Sequence, residues 1–314
     1  MLVQNIPIAG PVRDPIDAIV ARDGAAVLCV ITGVEGPSYR PVGAMMAVFA
    51  DGDRTGTLSS GCIESDIELH AREALKAGTP LSLRYGRGSP FMDIQLPCGG
   101  GLDIMLVPNP DPEVLAALLA KRALRETATL SIDRTSGALA LVDATDTGWN
   151  GDLFYVRETP AIRFLVFGKG PEAATFAALV QGAGYPNVLL SPDDETLAGG
   201  TAAGCETLRI TRPMLPDDLE IDDWTAVILF FHDHDWEPPI LAGALETSAF
   251  YIGSQGSQRA RDARVQELQI MGVPGDRLDR LYGPVGLIPS ARDAGTLAVS
   301  VLAEILQVAM AAKT

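Results

Sequence analysis

A two-domain α/β protein is the fold class this sequence predicts, with a mixed α/β first domain and a parallel-sheet second domain. Two observations carry that prediction and a third places the boundary. In the second half, strand-length apolar runs alternate with helical stretches: IRFLVFG, a helix, NVLLS, AVILFF, a helix, FYIGS, then two further helices. Strands alternating with helices of this length form a parallel sheet covered on both faces. The first half mixes hairpin signals with capped helices instead. Between the halves, TDTGWNGDLFYVRETP is rich in turn formers and lacks a helical period, which sets the domains at 1–158 and 159–314. A chain of 314 residues gives each half enough length for its own core.

The elements of the first half follow from local signals. Asp14-Pro15 is an N-cap followed by proline at the first helical position, and Gly24 closes that helix. AAVLCVITG is a nearly continuous apolar run of strand length, with Cys29 inside it as a core thiol. AMMAVFADGDRTGTL reads as a hairpin turning at Asp51-Gly52. A helix spans about Glu64 to Lys76, with Gly78 as its stop. LPCGGGLDIMLVP is a glycine-rich loop entering a strand, and Asp111-Pro112 opens another capped helix. TATLSID and ALALVD pair as a second hairpin around Thr135-Ser136-Gly137.

Composition excludes some functions. The chain carries 24 basic and 40 acidic residues, a net charge of −16, which repels phosphate backbones and anionic membranes. No nucleic acid and no membrane are therefore expected as partners. TLAVSVLAEILQVAMAA is apolar, yet Glu304 and Gln307 interrupt it, so it reads as a packed helix. The opening MLVQNIPIAGPVRD lacks a basic flank before an apolar core. With four cysteines and no CxxC pair, free thiols in the cytoplasm are the expectation.

Several stretches carry chemistry. In GTLSSGCIE, the small residues Gly56, Ser59, Ser60 and Gly61 let a ligand approach the backbone, and Cys62 precedes a helix whose N-terminus favours a thiolate. Glu64 and Asp66 oppose that effect by their charge. Arg40 is a candidate bidentate clamp for a phosphate. Cys98 and Gly99 lie in the second glycine-rich loop, LPCGGG. Each cysteine reads either as a ligand or as a small packed thiol. A nucleophilic role needs a histidine base, and only His70, His232 and His234 exist.

In the second half, Gly168-x-Gly170-x-x-Ala173 sits between a strand and a helix, the context of a dinucleotide fingerprint and hence of a Rossmann-like domain. Asp193 and Asp194 follow the next strand, where an acid would meet a ribose. A further strand ends in His232-Asp233-His234-Asp235, at the edge where open parallel sheets bind ligands. Gly253, Ser254, Gly256 and Ser257 precede a helix bearing Arg259, Arg261 and Arg264. The loop reads either as a phosphate cradle with Arg259 or as a helix whose arginines pair with surrounding acid.

Six motifs occur in order: GPSYRPVGAMM, GTLSSGCIE, LPCGGGLDI, a strand ending in HDHD, YIGSQGSQR, and GPVGLIPSARDAGTLAVSVLAEI. Together they resemble the XdhC/CoxI family of molybdenum-cofactor accessory proteins over roughly Gly33 to Ile305, with SSGCIE and YGRGSPFMDIQLPCGGG nearer the CoxI-like branch. The resemblance implies an N-terminal cofactor-handling domain and a C-terminal Rossmann-like domain. It implies a non-catalytic chaperone that binds molybdenum cofactor, as molybdopterin or its dinucleotide form, and protects it during sulfuration. The chaperone would then insert the cofactor into a molybdenum hydroxylase. Implied partners are an apo hydroxylase of the xanthine dehydrogenase or aldehyde oxidase type, a cysteine desulfurase as sulfur donor, and further copies of the chain in a homo-oligomer. Cofactor-binding residues on this reading are Arg40, Ser59, Ser60, Gly61, Cys62, Glu64, Cys98 and Gly99 in the first domain. In the second they are Gly168, Gly170, His232, His234, Asp235, Gly253, Ser254, Ser257 and Arg259. Cys62 is the expected metal ligand, because thiolate suits a soft metal centre. The alternative is an NAD(P)-dependent oxidoreductase, with NAD(P) or another nucleotide in the Rossmann-like domain.

Overall fold

The structure, a computed structural model, describes residues 14–89, 96, 99–143, 145–232 and 235–311. The chain divides into two compact units between Pro160 and Ala161. The first unit runs α1 (Pro15–Val20), β1 (Ala26–Glu35), β2 (Met45–Phe49), β3 (Arg54–Gly56), α2 (Glu64–Ala77), β4 (Leu81–Gly86) and β5 (Gly101–Pro108). It continues through α3 (Pro112–Ala123), β6 (Ala128–Asp133), β7 (Leu139–Val142), β8 (Gly148–Asn150) and β9 (Leu153–Glu158).

Two antiparallel sheets form, one of order β3-β2-β1-β5-β4 and one of order β7-β6-β9-β8. Strand β1 is central, with Cys29 opposite Met46 on one side and Leu106 on the other. Its alternate residues serve different cores. Val27, Cys29 and Ile31 pack with Ile67, Ala71 and Ala74 of α2. Leu28 and Val30 share the opposite core with α1, α3 and the second sheet. Burial on both faces explains why β1 reads as an unbroken apolar run.

The caps behave as their chemistry requires. Asp14 Oδ1 accepts from the N–H groups of Ile16 (2.8 Å) and Asp17 (3.2 Å), although α1 ends at Val20, short of Gly24. Asp111 accepts from Glu113 N at 2.9 Å, and Gly78 ends α2 in the left-handed conformation. Two features escape the sequence reading. Strand β4 gives no clear signal of its own, and TDTGWNGDLFYVRETP contains the β8–β9 hairpin rather than turns alone. Only Phe154 and Val156 of β9 are buried, so its alternation is brief.

The second unit runs β10 (Arg163–Gly168), α4 (Pro171–Gly182), β11 (Asn187–Ser191), α5 (Asp194–Ala202), β12 (Glu206–Arg209) and β13 (Thr225–Phe230). It ends with α6 (Glu237–Leu245), β14 (Tyr251–Ser254), α7 (Gln258–Ile270), α8 (Gly275–Leu278), β15 (Leu281–Tyr282) and α9 (Ala294–Ala311). One parallel sheet has the order β12-β11-β10-β13-β14-β15. This is the doubly wound arrangement of dinucleotide-binding folds, with its switch point between β10 and β13. Cores on its two faces hold α4 and α9 on one side and α6 and α7 on the other.

Helix α9 is long and apolar enough to cross a membrane by length and composition, with a mean hydropathy of 1.7. Its Ala298, Val301, Leu302, Ile305 and Ala309 are buried together with Phe176, Ala177 and Val180 of α4. One face of the helix is therefore packed, while its Val299 and Met310 are exposed.

Beneath the sheet's carboxyl edge lies a buried ion pair. Glu237, 1% exposed, accepts from Arg264 Nε at 3.0 Å and Nη2 at 2.8 Å, and from Ser254 Oγ at 2.5 Å. Arg264 Nη2 also donates to the Gln255 carbonyl at 2.9 Å. Removing one member of such a pair strands the other without water. Arg264→Ala should therefore lower the unfolding free energy by about 3–5 kcal/mol. Denaturant unfolding of the full chain measures this, and a loss below about 1 kcal/mol, the scale of exposed pairs, would show that Glu237 finds other compensation.

Candidate functional site

Leu58 and Ile63 anchor the ends of a short loop in the core of the first unit, at 0% and 1% exposure. Between them, Ser60, Gly61 and Cys62 face solvent. The loop closes on Glu64. Its Oε1 accepts from Thr57 Oγ1 (2.5 Å), Leu58 N (3.0 Å) and Ser59 N (2.8 Å). Its Oε2 accepts from Ser59 Oγ (2.7 Å), Gly61 N (2.9 Å) and Ile63 N (3.2 Å). Both hydroxyls also act as acceptors. Ser59 Oγ takes the N–H groups of Cys62 and Ile63 at 3.0 and 3.1 Å, and Thr57 Oγ1 takes that of Ser60 at 2.9 Å. Ile63, the cap residue of α2, offers no side-chain oxygen, and Glu64, the first helical residue, accepts instead from the N–H groups of Gly61 and Ile63 that lead into the helix. Ser60 and Gly61 adopt φ of 63° and 108° to complete the turn.

Burial alone would raise the pKa of Glu64, but the hydrogen bonds from Thr57 and Ser59 outweigh it and hold the carboxyl down at about 2. The sequence places Glu64 among cofactor contacts. The structure instead makes it the loop's own anion, with its lone pairs taken up by six donors. Cys62 is a free, exposed thiol immediately before the cap position. Cys29 and Cys205 are also free but buried, and burial pushes both thiols up. His70 is engaged by its neighbours on α2, with Nδ1 2.9 Å from Glu73 and Nε2 3.5 Å from Asp66.

Arg40 is half-buried and lines a cavity of about 280 Å³ that includes Gly56 and Thr57, so it sits beside the start of the thiol loop. Arg122 and Glu158 form another wall of that cavity as an ion pair. Gly99 is exposed with φ of 69°. Cys98 lies outside the described residues. Among the described residues, no three His, Cys, Asp or Glu side chains gather to hold a metal ion.

In the second unit, the loops after β10, β11 and β13 enclose a cavity of about 910 Å³ lined by Lys169, Asp193, His232, Asp235 and Trp236. Gly168 belongs to the packing of strand on helix, since a Cβ there would meet Ala173 Cβ and the Phe230 carbonyl, each at 2.7 Å. The phosphate-facing part of the fingerprint is altered. Gly170 N–H donates to Thr196 Oγ1 at 2.9 Å, and Thr196 Oγ1 donates in turn to Asp193 Oδ2 at 2.7 Å. The Thr196 hydroxyl and N–H lower the pKa of Asp193, which caps α5. Pro171 starts α4 without an N–H, and Glu172 follows in its first turn. Glu172 Oε2 is buried without a hydrogen-bond partner, 3.6 Å from His232 Nε2. His234 lies outside the described residues.

The GSQGS loop departs most from its reading as a phosphate cradle. Gly253 and Ser254 are buried in β14, and Ser254 Oγ serves Glu237 as described above. Ser257 Oγ accepts from Ala260 N at 3.2 Å as the cap of α7. Arg259 and Ser257 line a cavity of about 510 Å³ together with Glu237 and Arg264. Of the residues read as a cradle, Ser254 thus serves the chain's own Glu237, to which Arg264 also turns. No sequence signal named Glu237, which lies at the start of a different helix.

An exposed thiol on a carboxylate-clamped loop and a doubly wound domain whose glycine turn is non-standard thus stand in one two-domain α/β chain. Residues 164–305 match the XdhC Rossmann domain and residues 19–86 match the XdhC and CoxI family. The chain is 36% identical over 297 residues to the molybdenum cofactor insertion chaperone PaoD of Escherichia coli (strain K12), covering 94% of this chain and 87% of that protein. It is 23% identical to a probable xanthine dehydrogenase subunit of Bacillus subtilis (strain 168), covering 93% and 96% of the two chains. Its fold matches the crystal structure of a xanthine dehydrogenase from Bacillus halodurans with a TM-score of 0.77 at 24% identity, over 94% of this chain and 95% of that one. The chain belongs to the XdhC and CoxI family.

The clamp makes stability depend on acid. The carboxyl of Glu64 titrates at about 2 in the folded chain against an ordinary 4.5, so its contribution is complete above pH 4.5 and is lost as pH falls toward 2. That displacement corresponds to about 3 kcal/mol at neutral pH. In urea unfolding of the cofactor-free protein, Glu64→Gln should be clearly less stable at pH 7 and approach the wild type as pH drops below 4. The lowered carboxyls of Asp133, Asp193 and Asp293 act alike in both proteins. Parallel stability curves across the whole range would show that the charge of Glu64 does not hold the loop.

Proposed function

We propose that this chain is a molybdenum cofactor-binding chaperone that protects the cofactor during sulfuration and inserts it into a molybdenum hydroxylase of the xanthine dehydrogenase or aldehyde oxidase type. The observation that carries the reading is Cys62, a free thiol held outside the core by a loop whose polar groups are otherwise satisfied internally. Thiolate is the protein donor suited to a soft molybdenum–dithiolene centre. A lone thiol adds one ligand to a metal that arrives with its own, which agrees with the lack of a three-residue metal cluster among the described residues. Arg40, in the cavity beside Thr57, is placed for an anionic group of the same cargo. Similarity to PaoD over most of both chains supports the same role.

The client apoenzyme and a cysteine desulfurase are the partners this function requires, and free thiols suit work in the cytoplasm. An NAD(P)-dependent oxidoreductase is disfavoured by the α4 terminus. A pyrophosphate there would miss the N–H of Pro171, compete with Thr196 for that of Gly170, and approach the carboxylate of Glu172.

Cys62→Ser should leave the fold intact and weaken retention of molybdenum cofactor by at least about tenfold, a loss of ~1.4 kcal/mol. Molybdenum content per chain after loading and gel filtration, alongside circular dichroism, measures both. Full molybdenum content in a well-folded Cys62→Ser protein would remove Cys62 from the site.

A further inference from the structure

A cavity of about 540 Å³ lies at the carboxyl edge of the parallel sheet, on the side of β13, β14 and the start of α9. This is within the about 300–1,000 Å³ typical of small-molecule sites. Its walls are largely apolar, from Phe231, Val285, Ile288 and Leu297. Four charged groups line it with them: Arg264, already committed to Glu237, Asp293, which accepts from the Thr296 N–H, and Glu172 and Arg292. Glu172 presents a carboxylate whose Oε2 is buried and has no hydrogen-bond partner. The basic group beside it is His232 at 3.6 Å, a side chain 72% exposed and so free to turn toward solvent. Arg292 makes no ion pair among the described residues.

A buried acceptor without a donor is costly, and the cost is relieved by any ligand that brings N–H groups to it. Flat apolar walls select a ring rather than a flexible amine. The carboxylate selects an edge with two parallel N–H donors, the geometry that makes arginine–carboxylate pairs bidentate. An anion is excluded at that wall by Glu172, while Arg292 accommodates one elsewhere on the same ligand. A bare metal ion is disfavoured because no three acid, His or Cys groups gather among the described residues.

We propose that this cavity recognises the 2-amino-4-oxopyrimidine edge common to pterins and guanine, with Glu172 accepting from the ring N–H and the exocyclic amino group. The assignment of the natural ligand to the pterin of molybdenum cofactor rests on the chaperone reading. Recognition of the edge itself does not.

Fluorescence titration of the full chain with pterin-6-carboxylate, with lumazine as the analogue carrying a 2-oxo group in place of the 2-amino group, tests the proposal. Wild type should prefer the pterin by about tenfold or more, the scale at which a site rejects a mismatched hydrogen-bonding edge. Glu172→Gln should reverse the order, because its amide offers one acceptor and one donor and so matches the 2-oxo edge. Equal binding of pterin and lumazine by wild type, or pterin affinity unchanged in Glu172→Gln, overturns the proposal. Competition by GMP identifies the source: weaker displacement than by the pterin supports the cofactor's pterin, and stronger displacement supports a guanine nucleotide on the same edge. Molybdenum retention through Cys62, measured on the same preparations, separates the two hypotheses. Retention without pterin preference refutes this inference alone. Pterin preference without retention refutes the chaperone reading alone.

Discussion

Six donors converge on the Glu64 carboxylate, and the exposure of Cys62 follows from them. A carboxylate 3% exposed is tolerable only when hydrogen-bonded throughout, and this one is. Because it accepts and never donates, the Thr57 and Ser59 hydroxyls must point their protons toward it. Their lone pairs then face outward, to the N–H groups of Ser60, Cys62 and Ile63. The direction of every hydrogen bond in the turn is thereby fixed by one charge. With Leu58, Ser59 and Ile63 turned inward, Ser60, Gly61 and Cys62 complete the turn on the outside, and the thiol stays in solvent.

The second unit uses the same device. Its Ser-Gly loop after β14 sends Ser254 and Arg264 to Glu237 rather than outward. Its first glycine turn spends the Gly170 N–H on Thr196, which is itself held by Asp193. The glycine turn and the acid after β11, where such a fold ordinarily grips pyrophosphate and ribose, are thus engaged by the chain's own groups. What these loops leave open is the cavity beside Lys169 and, next to it, the one into which Glu172 brings a carboxylate.

Much of this architecture is legible before any coordinates. Asp14-Pro15, Asp111-Pro112 and Gly78 mark helix ends because capping is local chemistry, and β10 to α4 declares itself by a strand–glycine–helix order. Weak alternation hides β4 and β9, where two inward residues per strand suffice for pairing with strong neighbours. Helix α5 is obscured by Gly199 and Gly200, poor helix formers that the fold accepts because Gly200 lets the helix approach Leu189. The loops are harder for a different reason. A run of Ser and Gly offers donors, and the pattern is identical whether the acceptor is a ligand phosphate or a glutamate of the same chain. For GTLSSGCIE the glutamate stands within the motif, so its acceptor is local, although Gly61 and not a Ser or Thr lies three residues before Glu64 and no capping box announces it. For GSQGS the acceptor comes from another helix, and no local reading reaches it.

A carrier has to release what it holds, and the first unit's chemistry is consistent with that demand. Sites that retain a metal permanently enclose it with three or four protein ligands. Here one thiol projects from a turn that does not rely on a ligand for its order, since its polar groups are satisfied by one another and by Glu64. Binding therefore need not fold the loop, and release need not unfold it, so neither step carries a large ordering cost. The one histidine on the neighbouring helix is engaged by Asp66 and Glu73. On the proposed chaperone reading, a single soft donor presented by an already ordered turn would suit a handover, with few bonds for a client with more ligands to replace.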